Sequence, residues 1–160
     1  MGYDWAKDMI HVPFGMVSIE GGKLSTRDGN VVFLEDVLNT ARDKALEIIN
    51  EKNPDLENKQ DVAEMVGTGA VVFGALVGSR IKDISFSYDK VLNFEGETGP
   101  YVQYTYARCC SLLNKIESSG SINYDNLTST ESYELIKLID KYPEIVADAG
   151  AKYEPSIVTR

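Results

Sequence analysis

Histidine is almost absent from this chain and cysteine is scarce: there is one His, His11, and two Cys, Cys109 and Cys110. With no cysteine near His11, a zinc site is not expected, and no Ser-His-Asp arrangement surrounds it. Neighbouring cysteines on a helix point about 100° apart, so a disulfide between them would be strained. The expectation is a pair of buried thiols in a reducing, cytoplasmic setting. Long apolar runs are missing too. The uncharged run from Met65 to Val77 falls short of the roughly 20 residues a bilayer span needs. The N-terminus, MGYDW, places charge where the apolar part of a signal peptide should begin, so no membrane association is expected. Basic residues are outnumbered, 16 against 25 acidic, for a net charge of -9. That argues against a chain-wide nonspecific nucleic-acid binder, but leaves room for a local basic face on an acidic body.

What is present suffices for a core: 43% of 160 residues are apolar, enough for one ordinary domain or two incomplete ones. "HVPFGMVSI" (11–19) looks like a short strand interrupted by Pro13 and Gly15, and Val31–Leu34 like a second extended run. Leu34, Val37, Leu38, Ala41, Ala45, Ile48 and Ile49 form one apolar stripe, which predicts a helix to about Lys52, stopped by Asn53-Pro54. A second helix is predicted from Lys59 to Arg80, with Gly67, Gly69, Gly74 and Gly78 in it. Each costs about 1 kcal/mol against Ala, which suggests close approach to another helix or to a ligand. Asp89–Phe94 suggests a short helix. Thr98-Gly99-Pro100 starts a longer one to about Glu117, since Pro is accepted in a first turn. Beyond the loop "SSGSINYDN" come a helix at Glu131–Tyr142, another starting at Pro143, and a last one from Pro155. The fold class expected is mainly α, a helical bundle with a short N-terminal β segment. The last element is under two turns long, as in a truncated piece of something larger.

Two stretches carry candidate chemistry. "GGKLSTRDGN" (21–30) packs three glycines, two hydroxyls and two cations into ten residues, the composition of a phosphate grip. Its spacing is not that of a P-loop, because Leu24 follows Lys23. From pattern alone it is equally a nucleotide-handling loop, whose Lys or Arg stabilises charge at phosphorus, or a solvated turn. On the helix from Pro100, Val102, Cys109, Leu112, Leu113 and Ile116 make a buryable face. Tyr101, Tyr104, Arg108, Ser111 and Lys115 make another, running from aromatics to cations. Those tyrosines either stack on unpaired bases, with Arg108 and Lys115 on phosphates, or pack half-buried with wet hydroxyls. Glu95 and Glu97, beside two glycines, read as acids favoured at a helix N-terminus rather than as a catalytic pair.

In order along the chain, these segments resemble one family. Lys23-Leu24-Ser25-Thr26-Arg27 is similar to the KMSKS signature of class I aminoacyl-tRNA synthetases in its KMSTR form. With "GNVVFLEDVL", "VGTGAVVFG", "FEGETGPYVQYTYAR" and "YEPSIV", nearly the whole chain resembles the arginyl-tRNA synthetases of bacterial type. The resemblance implies the tail of a Rossmann-type catalytic domain in residues 1–90 and the first helices of an anticodon-binding domain in 91–160. It implies that the loop closes over ATP, with Lys23, Ser25, Thr26 and Arg27 on the pyrophosphate side and Gly22 and Gly29 flanking them. ATP, with Mg2+, is then a substrate, and no tightly bound cofactor is implied. Tyr101 and Tyr104, with Arg108 and Lys115, would contact tRNA-Arg, while L-arginine would be held by parts upstream in the family. Asp28 departs from the pattern; a carboxylate near a triphosphate weakens binding unless it faces away. The family's HIGH signature needs two histidines, which this chain lacks, so no aminoacylation is expected of this piece alone. Self-association through its cut surfaces is expected instead.

Overall fold

The computed structural model describes residues 2–19, 22–23 (backbone), 31–116 and 123–160. Three short strands form one sheet in the order β2-β1-β3: β1 (Val17–Ile19), β2 (Gly22–Lys23) and β3 (Ile84–Phe86). β1 pairs antiparallel with β2, Ser18 opposite Lys23, and parallel with β3, Val17 opposite Ile84. Between β1 and β3 the chain crosses over through α1 (Leu34–Lys52) and α2 (Lys59–Leu76). α3 (Tyr88–Val91), α4 (Gly99–Leu113), α5 (Thr130–Lys152) and α6 (Ser156–Thr159) follow. The chain is mainly α with a short N-terminal β segment, as the sequence predicts.

The core lies where α1 and α2 meet the sheet. Val37, Ala41, Val71 and Phe86 form one buried cluster; Ala45, Ala63, Ala70 and Leu92 form a second. The α1–α2 seam is made of small residues, and Gly67 shows why. A Cβ there would stand 2.6 Å from the backbone nitrogen of Arg42. α4 repeats the device: a Cβ on Gly99 would come within 2.7 Å of the Gly69 carbonyl oxygen. The glycines of α2 therefore serve tight helix packing.

Several expectations need correction. Val31–Phe33 forms no strand, Phe33 being the extended residue before α1, while β3 goes unpredicted because three residues carry too short an alternation to read. α2 stops at Leu76 rather than Arg80, since Ser79 and Arg80 turn away to bond Glu154. Pro143 starts no helix and lies inside α5. The expected buryable face of α4 is open: Val102 is 52% exposed, Leu113 69% and Ile116, just past the helix, 65%. α4 meets α2 through its first turns, where Gly99 and Pro100 are buried, and then runs past it. The thiols follow, Cys109 exposed and Cys110 half-buried, both free. Among the described residues, no helix is long and apolar enough to cross a membrane.

Candidate functional site

Lys23 stands on β2, an outer strand of the sheet, so its backbone is held by the pairing of Ser18 with Lys23 and Ile19 with Gly22. Gly22 shares that strand. Ser25, Thr26, Arg27 and Gly29 lie outside the described residues, as does Asp28. The rest of the sheet supplies the mounting: the crossover through α1 and α2 and the burial of Phe86 fix β1 in the centre.

The second set of residues sits on α4, and local chemistry explains how that helix begins. Thr98 caps it, its hydroxyl accepting from the Tyr101 amide at 3.3 Å, and Pro100 occupies the first turn. Gln103 then ties the helix to α2 by donating from Nε2 to the Met65 carbonyl at 3.0 Å. Its Oε1 is enclosed and meets no donor among the described residues. With the buried side so fixed, Tyr101 and Tyr104 face outward, 47% and 49% exposed. The Arg108 guanidinium lies 5.7 Å from the centre of the Tyr104 ring, a cation–π distance. Lys115 is exposed just beyond the helix end. Tyr101, Tyr104 and Arg108 thus lie together on one open face, with Lys115 at its far end and Lys23 on a separate element.

The electrostatics of this face differ from those of the chain as a whole. From Gly99 to Ile116 there is no acidic residue, and the cations are Arg108 and Lys115, within a chain of net charge -9. Both cations of this segment therefore stand without an acidic residue in it, Arg108 beside the Tyr104 ring.

Two features escaped the reading of the sequence. Tyr106, 71% exposed, borders a groove of about 610 Å³ between α2 and α4, with Val62, Met65, Phe94 and Val102 also lining it. Hydrogen bonding to the Cys110 thiol raises the Tyr106 hydroxyl above its ordinary pKa of 10.0. The spacing Tyr106–Cys110, one helical turn, was the available signal. The other is a knot of polar contacts around Arg80 and Glu154. Its only trace in sequence was the motif "YEPSIV", which names no partner.

A family model described as tRNA synthetases class I (R), catalytic domain, matches residues 1–88, and one described as DALR anticodon binding domain matches residues 102–160. The arginine–tRNA ligase of Halothermothrix orenii is 57% identical over 100% of this chain and 29% of its own length. That of Clostridioides difficile is 54% identical with the same coverage. Among solved structures, Thermus thermophilus arginyl-tRNA synthetase superposes with a TM-score of 0.82 at 34% identity, over 91% of this chain and 24% of that one. This chain therefore spans about 29% of the length of the curated relatives it matches. On these matches the chain belongs to the class I arginyl-tRNA synthetases, carrying a catalytic tail joined to an anticodon-binding segment of the DALR type.

Proposed function

We propose that this chain serves an arginine–tRNA ligase, in which arginine is activated with ATP and then esterified to tRNA-Arg. The division falls near residue 90, with 1–90 on the nucleotide side and 91–160 on the RNA side. Lys23, Ser25, Thr26 and Arg27 would stabilise charge on the leaving pyrophosphate, with the Gly22 and Gly29 backbones letting the phosphates approach closely. Mg2+ would enter with the phosphate oxygens, ligands that suit a hard cation. Arginine itself would be held by parts of the enzyme that the relatives possess beyond the matched share. The setting of this reading is the cytoplasm.

The observation that carries it is the acid-free face of α4, where Tyr101, Tyr104 and Arg108 are exposed together. Tyr101 and Tyr104 would stack on unpaired bases, and Arg108 and Lys115 would hold phosphates. A salt titration of tRNA-Arg binding tests this. The Tyr101→Ala/Tyr104→Ala double variant should lose about 2 kcal/mol or more, and Arg108→Ala should lower the slope of log K against log salt by about 1. Unchanged binding by the double variant would remove the stacking role, and no binding of wild type at low salt would remove the RNA face altogether. A second reading, a non-catalytic module that binds a protein through its helices, draws on one observation, the open apolar sides of α4 and α5.

A further inference from the structure

Residues from three distant parts of the chain converge at the foot of α5. The Glu154 carboxylate accepts from the Ser79 hydroxyl at 3.1 Å, the Arg80 amide at 3.2 Å and the Ser156 hydroxyl at 2.7 Å. The Arg80 guanidinium donates from Nε to the Tyr153 carbonyl at 2.8 Å and from Nη1 to the Pro13 carbonyl at 2.5 Å. The Arg80 carbonyl in turn accepts from the Gly15 amide at 2.7 Å. Arg80 thus holds both the end of α5 and the segment that enters β1, whose partner strand carries Lys23.

The knot is more than local trimming, because α5 has little else to hold it. Of its 23 residues only Ala149 is buried, and apart from α6 the described elements touch it only marginally. A helix of that length is a lever of about 35 Å, and its direction is set at the foot. The chain turns there through Tyr153, in the left-handed region at φ 52, with the Glu154 amide bonded back to the Ala149 carbonyl at 3.0 Å. This is a Schellman ending made without glycine. The carboxylate of Glu154 and the fork of Arg80 hold that turn against the loop after α2.

We propose that Arg80 and Glu154 are positioning residues that lock α5 to the root of the strand pair carrying Lys23, so that the anticodon-side helix and the nucleotide-side sheet keep one fixed relation. Only the biological purpose of the lock rests on the ligase reading. Backbone 15N relaxation on the whole chain tests the lock itself. In wild type, α5 should tumble with α1 and α2. In Glu154→Ala and in Arg80→Ala, α5 should tumble separately and faster, while amide exchange protection in α1 and α2 stays as it was. Glu154→Gln, which keeps an accepting oxygen, should retain more of the common tumbling than Glu154→Ala. Should either alanine variant lose protection in α1 and α2, the gentler Ser79→Ala/Ser156→Ala pair takes its place, with the same separation of α5 expected. Separate tumbling in wild type, or common tumbling in folded variants, would overturn the proposal. A parallel tRNA titration keeps the two ideas apart: failure to bind RNA would sink the ligase reading and leave the relaxation result intact.

Discussion

A methyl group on residue 67 would have to fit into space that the α1 backbone already fills, since a Cβ there stands 2.6 Å from Arg42 N. Gly67→Ala should therefore destabilise the chain by about 2 kcal/mol through overpacking, read as a lowered denaturation midpoint. Gly150 gives the opposite case: a Cβ there meets nothing within 4 Å, and the residue lies in α5. Gly150→Ala should stabilise by about 0.5–1 kcal/mol; an equal loss at both positions would refute the packing account. At Tyr106, Cys110→Ala should let the phenol ionise at lower pH than in wild type, seen as an earlier rise in tyrosinate absorbance, because the thiol contact holds the phenol's pKa up. At this scale the tyrosines and cations of α4 were legible as a stripe. That the tyrosines are open was not, because exposure depends on how far α2 extends alongside.

Among the elements, α5 is the one whose sequence misleads. Proline in a helix interior removes a donor and crowds the preceding turn, so a break at Pro143 is the natural expectation. The helix nevertheless continues from Thr130 to Lys152, capped at the start by Ser129, whose hydroxyl accepts from the Ser132 amide at 3.1 Å. Pro143→Ala should raise helix content by circular dichroism and stabilise α5 by up to about 3 kcal/mol. Both ends of α5 also respond to acid. Glu154 is held below its usual 4.5, first by the Ser156 hydroxyl, with the Arg80 amide and the Ser79 hydroxyl adding to it against desolvation. Glu131 is held below the same value by its own backbone amide and then by Ser129. A lowered folded-state pKa contributes stability that is full above the unfolded value and is lost as pH falls through the folded one. The helical signal of α5 should therefore weaken as pH drops below about 4.5, and Glu154→Gln should flatten that dependence. An unaltered acid profile in Glu154→Gln would remove Glu154 from the account.

For the whole molecule, the distribution of apolar surface is the dominant fact. The α4 side presents Val102, Leu113 and Ile116, α5 presents Leu135, Ile139 and Tyr142, and a groove of about 610 Å³ opens between α2 and α4. Patches of this kind favour association, while a net charge of -9 opposes it at low ionic strength. Sedimentation should show concentration-dependent self-association that strengthens as salt screens the charge, and Leu113→Glu with Ile139→Glu should weaken it. A monodisperse monomer across both salt and concentration would contradict this. The family, the helical class, the two crossover helices, the nucleotide-loop motif and the α4 stripe were all determined by the sequence itself, because periodicity, glycine placement and short motifs are local properties of the chain. Only the tertiary structure decided which faces are covered, that Ile84–Phe86 joins β1 as a strand, and that Arg80 meets both Pro13 and Tyr153. The last two depend on contacts between residues more than 60 positions apart, and the covered faces on contacts such as Gln103 with Met65, 38 positions apart; no local pattern encodes where such partners will meet.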